Sequence, residues 1–187
     1  GGPPYGALTF LSAGPTITNT QITMSFGPAA IISGASTPTF VNVDFDSTTA
    51  TSNGVPVELS LVSDPVFTNC RFQGNWYTAL GVIPENIAQD VLWKIRPVAG
   101  RLNMPFFLNG GLTVGLGATL TMQPGVIVKG YGASILIQRA ATVIGRTVPE
   151  SLIVFTSYRD DFYGGDSNAD SNYTAPAAYD WNYVTID

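Results

Sequence analysis

Histidine is absent from all 187 residues. Every scheme that needs an imidazole base, an imidazole metal ligand, or a Ser-His or Cys-His pair is therefore excluded. Charge is also scarce: Lys plus Arg number 8 and Asp plus Glu 13, together 11% of the chain, under half the ~25% usual in soluble domains. The net charge of −5 leaves no basic footprint for DNA, RNA or an anionic membrane surface, and no nucleic-acid partner is expected. The one cysteine, Cys70, cannot close an internal disulfide. No run of 18 apolar residues occurs, so no helical membrane insertion is expected. The opening Gly1-Gly2-Pro3-Pro4-Tyr5 lacks the basic and apolar segments of a secretory leader. It reads as a processed end or as part of something longer. What is abundant is equally specific. Hydrophobic residues make up 45%, with 20 Gly and 13 Pro, and the polar residues are mostly Thr, Ser and Asn. That is the vocabulary of short strands and many turns, in a chain of single-domain length.

Repeats decide the architecture of such a chain. Pro15-Thr16-Ile17-Thr18-Asn19-Thr20-Gln21-Ile22, Pro38-Thr39-Phe40-Val41-Asn42-Val43-Asp44-Phe45 and Pro65-Val66-Phe67-Thr68-Asn69-Cys70-Arg71-Phe72 share one pattern. It is Pro-x-apolar-x-Asn-x-x-apolar. The apolar residue before Asn points inward from a short strand. Asn tolerates left-handed backbone angles and suits a sharp bend. The apolar residue after the bend points inward again. A period of 20-odd residues with several short strands predicts a β-solenoid. Stacked coils would bring Asn19, Asn42 and Asn69 into one hydrogen-bonded column. Cys70 is then a small residue of the coil.

A second rhythm follows. Leu112-Thr113-Val114, Leu120-Thr121-Met122, Val126-Ile127-Val128 and Ile135-Leu136-Ile137 are short apolar triplets separated by Gly115, Gly117, Gly125 and Gly132. They predict about three strands per coil, and further strands are expected at 152–156 and 181–186. The organisation reads as one solenoid domain over 1–187. Asn-repeat coils occupy 1–82, and 83–110 is an irregular excursion containing a helical turn or a loop at 86–94. Gly-turn coils fill 111–187, with a polar, acidic excursion at 157–180.

The runs "LTVGLGATLTMQPGVIVK" (112–129), "LIVFTSYRDDFYGGDSNADS" (152–171) and "DWNYVTI" (180–186) resemble modules of secreted right-handed parallel β-helix repeat proteins. The resemblance implies an all-β, right-handed parallel β-helix and an extracellular or cell-surface location. In that family the block ending in the Trp strand usually precedes the Asn coils, whereas here it follows them. Placing Gly1–Phe10 after Asp187 would restore the order. The chain then reads as one unit of a tandem array, or as a subunit stacking head to tail on copies of itself. Either way both ends are open coil faces, with Leu8 and Phe10 at one and Val184 and Ile186 at the other.

The strongest polar constellation is Asp160, Asp161, Asp166, Asn168 and Asp170. The i, i+2, i+4 spacing of the last three gathers oxygen ligands on one side of a loop, which suits Ca²⁺. The closing Glu and the sixth-position Gly of an EF-hand are missing. No cofactor is required by the solenoid reading, and Ca²⁺ is the one candidate ion. Glycosidases need two carboxylates at a set separation, and Asp160-Asp161 are adjacent residues that a strand would point to opposite faces. The β-helix enzymes of the family use His-bearing or Arg-bearing motifs that have no match here, so the expectation is a non-enzyme. Trp76, Tyr77, Tyr163 and Tyr173 could stack on sugar rings as an adhesive or carbohydrate-binding surface. The preferred expectation is a structural filament, stalk or surface-layer unit whose partner is itself. A glycan-binding module comes second and a polysaccharide-active enzyme third.

Overall fold

The computed structural model describes residues 6–46, 54–145 and 151–187. The N-terminal stretch 1–5, part of the expected junction with Asp187, lies outside them. The described residues form eighteen strands, and none is helical. All strand pairs between named elements are parallel, so the chain is a parallel β-solenoid.

Successive passes are read in order. The first holds β1 (Leu8–Leu11) and β2 (Thr16–Thr23), the second β3 (Ala30–Ser33) and β4 (Thr39–Asp46). The third holds β5 (Val57–Leu59), β6 (Val66–Thr68) and β7 (Arg71–Gln73). The next three each carry three strands: β8 (Leu80–Val82), β9 (Glu85–Ile87) and β10 (Val91–Trp93); β11 (Phe106–Leu108), β12 (Gly111–Val114) and β13 (Thr119–Met122); β14 (Ile127–Gly130), β15 (Ala133–Ile137) and β16 (Thr142–Gly145). The last holds β17 (Val154–Ser157) and β18 (Trp181–Ile186).

One seven-stranded sheet, β1-β3-β5-β8-β11-β14-β17, runs the length of the molecule and serves as its spine. In the N-terminal half its partner is the sheet formed by β2, β4 and β6, with β7 also paired to β4. In the C-terminal half two sheets replace that one, β9-β12-β15-β18 and β10-β13-β16.

The Asn repeat builds the N-terminal sheet. Asn19, Asn42 and Asn69 have φ of 50°, 56° and 51°, the left-handed bend expected of them. Asn42 Nδ2 donates to Asn19 Oδ1 (2.9 Å) and Asn69 Nδ2 to Asn42 Oδ1 (2.7 Å). The apolar repeat positions stack inside. Ile17, Phe40 and Phe67 fall in register, as do Ile22, Phe45 and Phe72. The Phe40 and Phe67 rings lie parallel with centroids 5.3 Å apart, and Phe45 meets Phe72 edge-on at 5.6 Å. Cys70 is buried in this wall, and burial pushes its thiol pKa up.

The switch between halves falls in the stretch expected to be irregular. Residues 83–110 in fact carry β9, β10 and β11, and the only irregular part is 94–105. Glu85 opens β9 beneath the previous corner, where its carboxylate accepts from Ser60 Oγ and Leu61 N, both at 2.6 Å. Lys94 and Arg96 then both pair with Asp64. Burial alone would raise the Asp64 pKa, but the hydrogen bonds from these two cations lower it. Where another Asn bend would fall, the chain makes a tight turn closed by the Val98–Arg101 bridge. That turn faces Phe67, Asn69 and Cys70 across a hollow of about 350 Å³, and the Asn column stops there.

Candidate functional site: the open end and the clamped flank

The two ends of the described core differ in exposure. Down the spine the inward column is Leu8–Ala30–Val57–Leu80–Phe106–Val128–Phe155. Val128 is 0% exposed, but Phe155, next in line, is 46% exposed. The column Val91–Leu120–Val143 rises from 2% at Leu120 to 38% at Val143. Likewise Ile135, at 5%, is followed by Val184 at 56%, and Ile137 by Ile186 at 78%. These residues occupy core positions in register, yet no coil covers them among the described residues. The N-terminal end differs. Phe10 is only 6% exposed and packs edge-on against Phe40 at 5.7 Å, and Leu8 is partly buried. The four residues expected to mark open ends therefore divide: Val184 and Ile186 are open, while Phe10 belongs to the core.

The last coil is fixed by a close approach. A Cβ at Gly130 would fall 2.2–2.7 Å from ring atoms of Trp181, so only glycine lets the Trp strand lie there. Trp181 Nε1 donates to the Thr156 carbonyl, and Asn182 Nδ2 to the Gly132 carbonyl (2.7 Å).

Between β17 and β18 the 158–180 excursion folds back over the outer face of the spine. Outward residues there form the column Thr9–Ile31–Glu58–Gly81–Phe107–Lys129–Thr156. Lys129 is fully buried, and its Nζ donates to the carbonyls of Asp160 (2.6 Å) and Gly165 (2.7 Å). Burial pushes its pKa down to about 8, against the pull of the Asp160, Asp161 and Asp166 charges. Arg101 donates to the Gly164 carbonyl, and Thr78 N to the Ser167 carbonyl (2.7 Å). These donors clamp the excursion. Glu58, also buried, has its pKa raised to about 7 by burial. The alternation in β5 and β14 places Glu58 and Lys129 outward, and Lys129 is covered by the excursion, 31 and 36 residues further along the chain. That is why the sequence around Lys129 did not mark it.

The five candidate calcium ligands separate. Asp160 is buried, and its carboxylate accepts from Phe162 N (2.9 Å), Tyr163 N (3.3 Å) and Thr156 Oγ1. It serves the excursion's own backbone. Asp161, Asp166 and Asp170 each bring an oxygen within 4.8 Å of the others. Burial, then the Asp166 and Asp170 charges, raises the Asp161 pKa. Asp161 Oδ1 and Asn168 Oδ1 are sealed from solvent without a hydrogen-bond partner. Asp166 already accepts from Asp170 N and Ser171 N, and Asp170 from Tyr173 N, Thr174 N and the Asn168 amide. These bonds shape the loop whether or not an ion is bound.

The four candidate stacking aromatics do not form one row. Trp76 and Tyr77 share a cleft with Tyr158. Tyr163 lies elsewhere, beside Leu152 and Val154, and Tyr173 stands alone at 90% exposure. Among the described residues no helix is long and apolar enough to cross a membrane. Comparison with protein-family models, curated proteins and solved structures gives no match.

Proposed function

We propose that this chain is a structural solenoid unit, and that its C-terminal end receives the first coil of another copy. The observation that carries the reading is the run of core positions left open at Val143, Phe155, Val184 and Ile186. Core positions exposed in register on a strand face favour association through that face. A heterologous contact of this kind extends instead of closing. The spine supports a second copy as occupant, because β1 and β17 are the two outer strands of one sheet. Stacking β1 of one copy on β17 of the next would carry the inward column from Phe155 on to Leu8. We take the winding as right-handed, the hand the resemblance implies and the one parallel crossovers adopt. An extracellular or cell-surface filament, stalk or layer suits a chain with few charges. No catalytic step belongs to this reading. A calcium ion among Asp161, Asp166 and Asp170 would relieve their mutual repulsion without taking part in stacking.

The test pairs native mass with imaging. The expected result is a native mass many times that of the denatured 187-residue chain, with filaments in the image, and conversion to monomer by Val184→Asp with Ile186→Asp. A wild-type chain that stays monodisperse and monomeric at high concentration overturns the proposal.

A further inference from the structure

The outer flank of the spine carries a second surface, well separated in chemistry from the apolar open end. A cleft of about 330 Å³ is lined by Asn75, Trp76, Tyr77, Tyr158, Asn168 and Ala169. That is the low end of the ~300–1,000 Å³ range of small-molecule sites. We propose that this cleft binds a neutral pyranose residue of a polysaccharide.

Its aromatic walls are rigidly placed. Trp76 packs against the Gly54 backbone so closely that a Cβ there would lie 2.7 Å from Trp76 Cβ. Tyr77 N donates to the Gly54 carbonyl (3.1 Å). Trp76 nonetheless stays 62% exposed, an unusual state for a large residue held at its backbone and Cβ. Tyr77 stacks on Phe107 with centroids 4.3 Å apart and planes 20° from parallel. Tyr158 meets Tyr77 edge-on at 6.1 Å and Tyr131 at 4.8 Å, and its hydroxyl accepts from Arg159 Nε (2.8 Å). The bond from Thr78 N to the Ser167 carbonyl ties the two sides together, so the site is organised before any ligand arrives.

The lining also selects the ligand. A sugar ring presents a C–H face and an edge of hydroxyls. The first matches an exposed aromatic face, and the second matches amides and phenols. Tyr77 and Tyr158 supply the phenols, while the Asn75 amide donates to the Phe45 carbonyl and the Asn168 amide to Asp170 and Thr174, so both hold the lining in place. Among the described residues that line the cleft none carries a charge at neutral pH. Asp170, which accepts from the Asn168 amide, sets a negative charge beside the lining that disfavours uronic acids, and the one neighbouring cation among the described contacts, Arg159, is engaged by the Tyr158 hydroxyl and by Asp180. A nucleic-acid base would fit the aromatic face, but no cationic groove accompanies it to hold phosphates.

The proposal does not rest on end stacking. The test is native electrophoresis of the full chain through gels containing dextran, laminarin or xylan, with polygalacturonate as the acidic comparison. Retardation is expected in at least one neutral gel. Trp76→Ala should weaken the apparent affinity by about tenfold or more, Trp76→Tyr should retain part of it, and Phe162→Ala, at an exposed ring outside the cleft, should leave it unchanged. All three variants should keep the parent melting temperature. The Val184→Asp, Ile186→Asp protein should bind as the parent does, which separates a failure here from a failure of stacking. No retardation in any neutral gel, retardation in polygalacturonate alone, or retardation indifferent to Trp76→Ala overturns the proposal.

Discussion

The two halves of the solenoid share a spine but close their coils differently. In the N-terminal half, long strands β2 and β4 bend at an Asn, and the space inside is filled by phenylalanines. In the C-terminal half, glycine turns divide the same circuit between two sheets, and the core columns run through Leu112, Leu120, Val128 and Ile135. One half draws rigidity from a bend and stacked rings, the other from short straight strands. The difference shows that a solenoid keeps a continuous core while its outline changes, provided one sheet carries the register through. It also bears on assembly. Copies that stack end to end can continue the spine directly, whereas the N-terminal sheet of one copy meets the two-sheet side of the next.

The largest effects should come from the interiors. Phe40→Ala removes a ring that contacts Phe10, Phe45 and Phe67, and should cost about 3–5 kcal/mol. Leu120→Ala, at the same depth in the other half, should cost about 2–5 kcal/mol. Denaturant melts of both variants test whether rings or aliphatic columns carry more of the stability. An equal or smaller loss for Phe40→Ala would erase the distinction drawn between the two interiors.

The flank supplies the next contrast, because the outer column buries a carboxyl in one half and an ammonium in the other. Glu58 has an ordinary pKa of 4.5 and a folded value of about 7. Below pH 4.5 it is protonated in both states and contributes nothing. As pH rises toward 7 the unfolded chain ionises while the folded chain keeps its proton, so stability falls, by up to about 3 kcal/mol in all. Melting from pH 4 to 8 should show this slope, and Glu58→Gln should flatten it. An unchanged slope in Glu58→Gln would assign the effect to other groups. Lys129→Met should cost about 1–3 kcal/mol, because the Asp160 and Gly165 carbonyls lose their donor. Proteolysis within 158–180 should accelerate in this variant and not in Glu58→Gln.

Much of this fold was legible in the chain. The Pro-x-apolar-x-Asn pattern specified the bend, the inward positions and the stacking of Asn19, Asn42 and Asn69, because all are local consequences of one repeat. The triplets from Leu112 to Ile137 specified β12 to β15 for the same reason. The strands at 85–93 escaped notice because Glu85, Asn86, Gln89 and Asp90 dilute the apolar alternation. Glu85 is polar since it completes the corner at Ser60 and Leu61, a contact 24 and 25 residues away in the chain. The candidate site was less legible. The acidic loop announced itself by composition, yet Asp160 turned out to serve its own backbone. The burial of Lys129 and the pairing of Tyr77 with Tyr158 arise only when the chain folds back. Long-range closure leaves no periodic mark.

The smallest predicted effect is the most diagnostic of the N-terminal half. Asn42 holds φ of 56° while it donates to Asn19 and accepts from Asn69, so two contributions are superposed at one residue. Asn42→Ala loses both and should cost about 1–2 kcal/mol, most of it from forcing a Cβ into left-handed geometry. Asn42→Gly removes the amide but accepts the backbone angle without strain. The residual loss in that variant measures the ladder itself, expected at about 0.5–1 kcal/mol because the column is exposed to water. Denaturant midpoints of the two variants separate the contributions. If glycine restores full stability, the Asn column is a by-product of a bend that needs only the right backbone. If glycine is as damaging as alanine, the hydrogen-bonded column holds the coils in register. The C-terminal half, where no such column occurs among the described residues, must then rely on its core and on the Lys129 and Arg101 clamp.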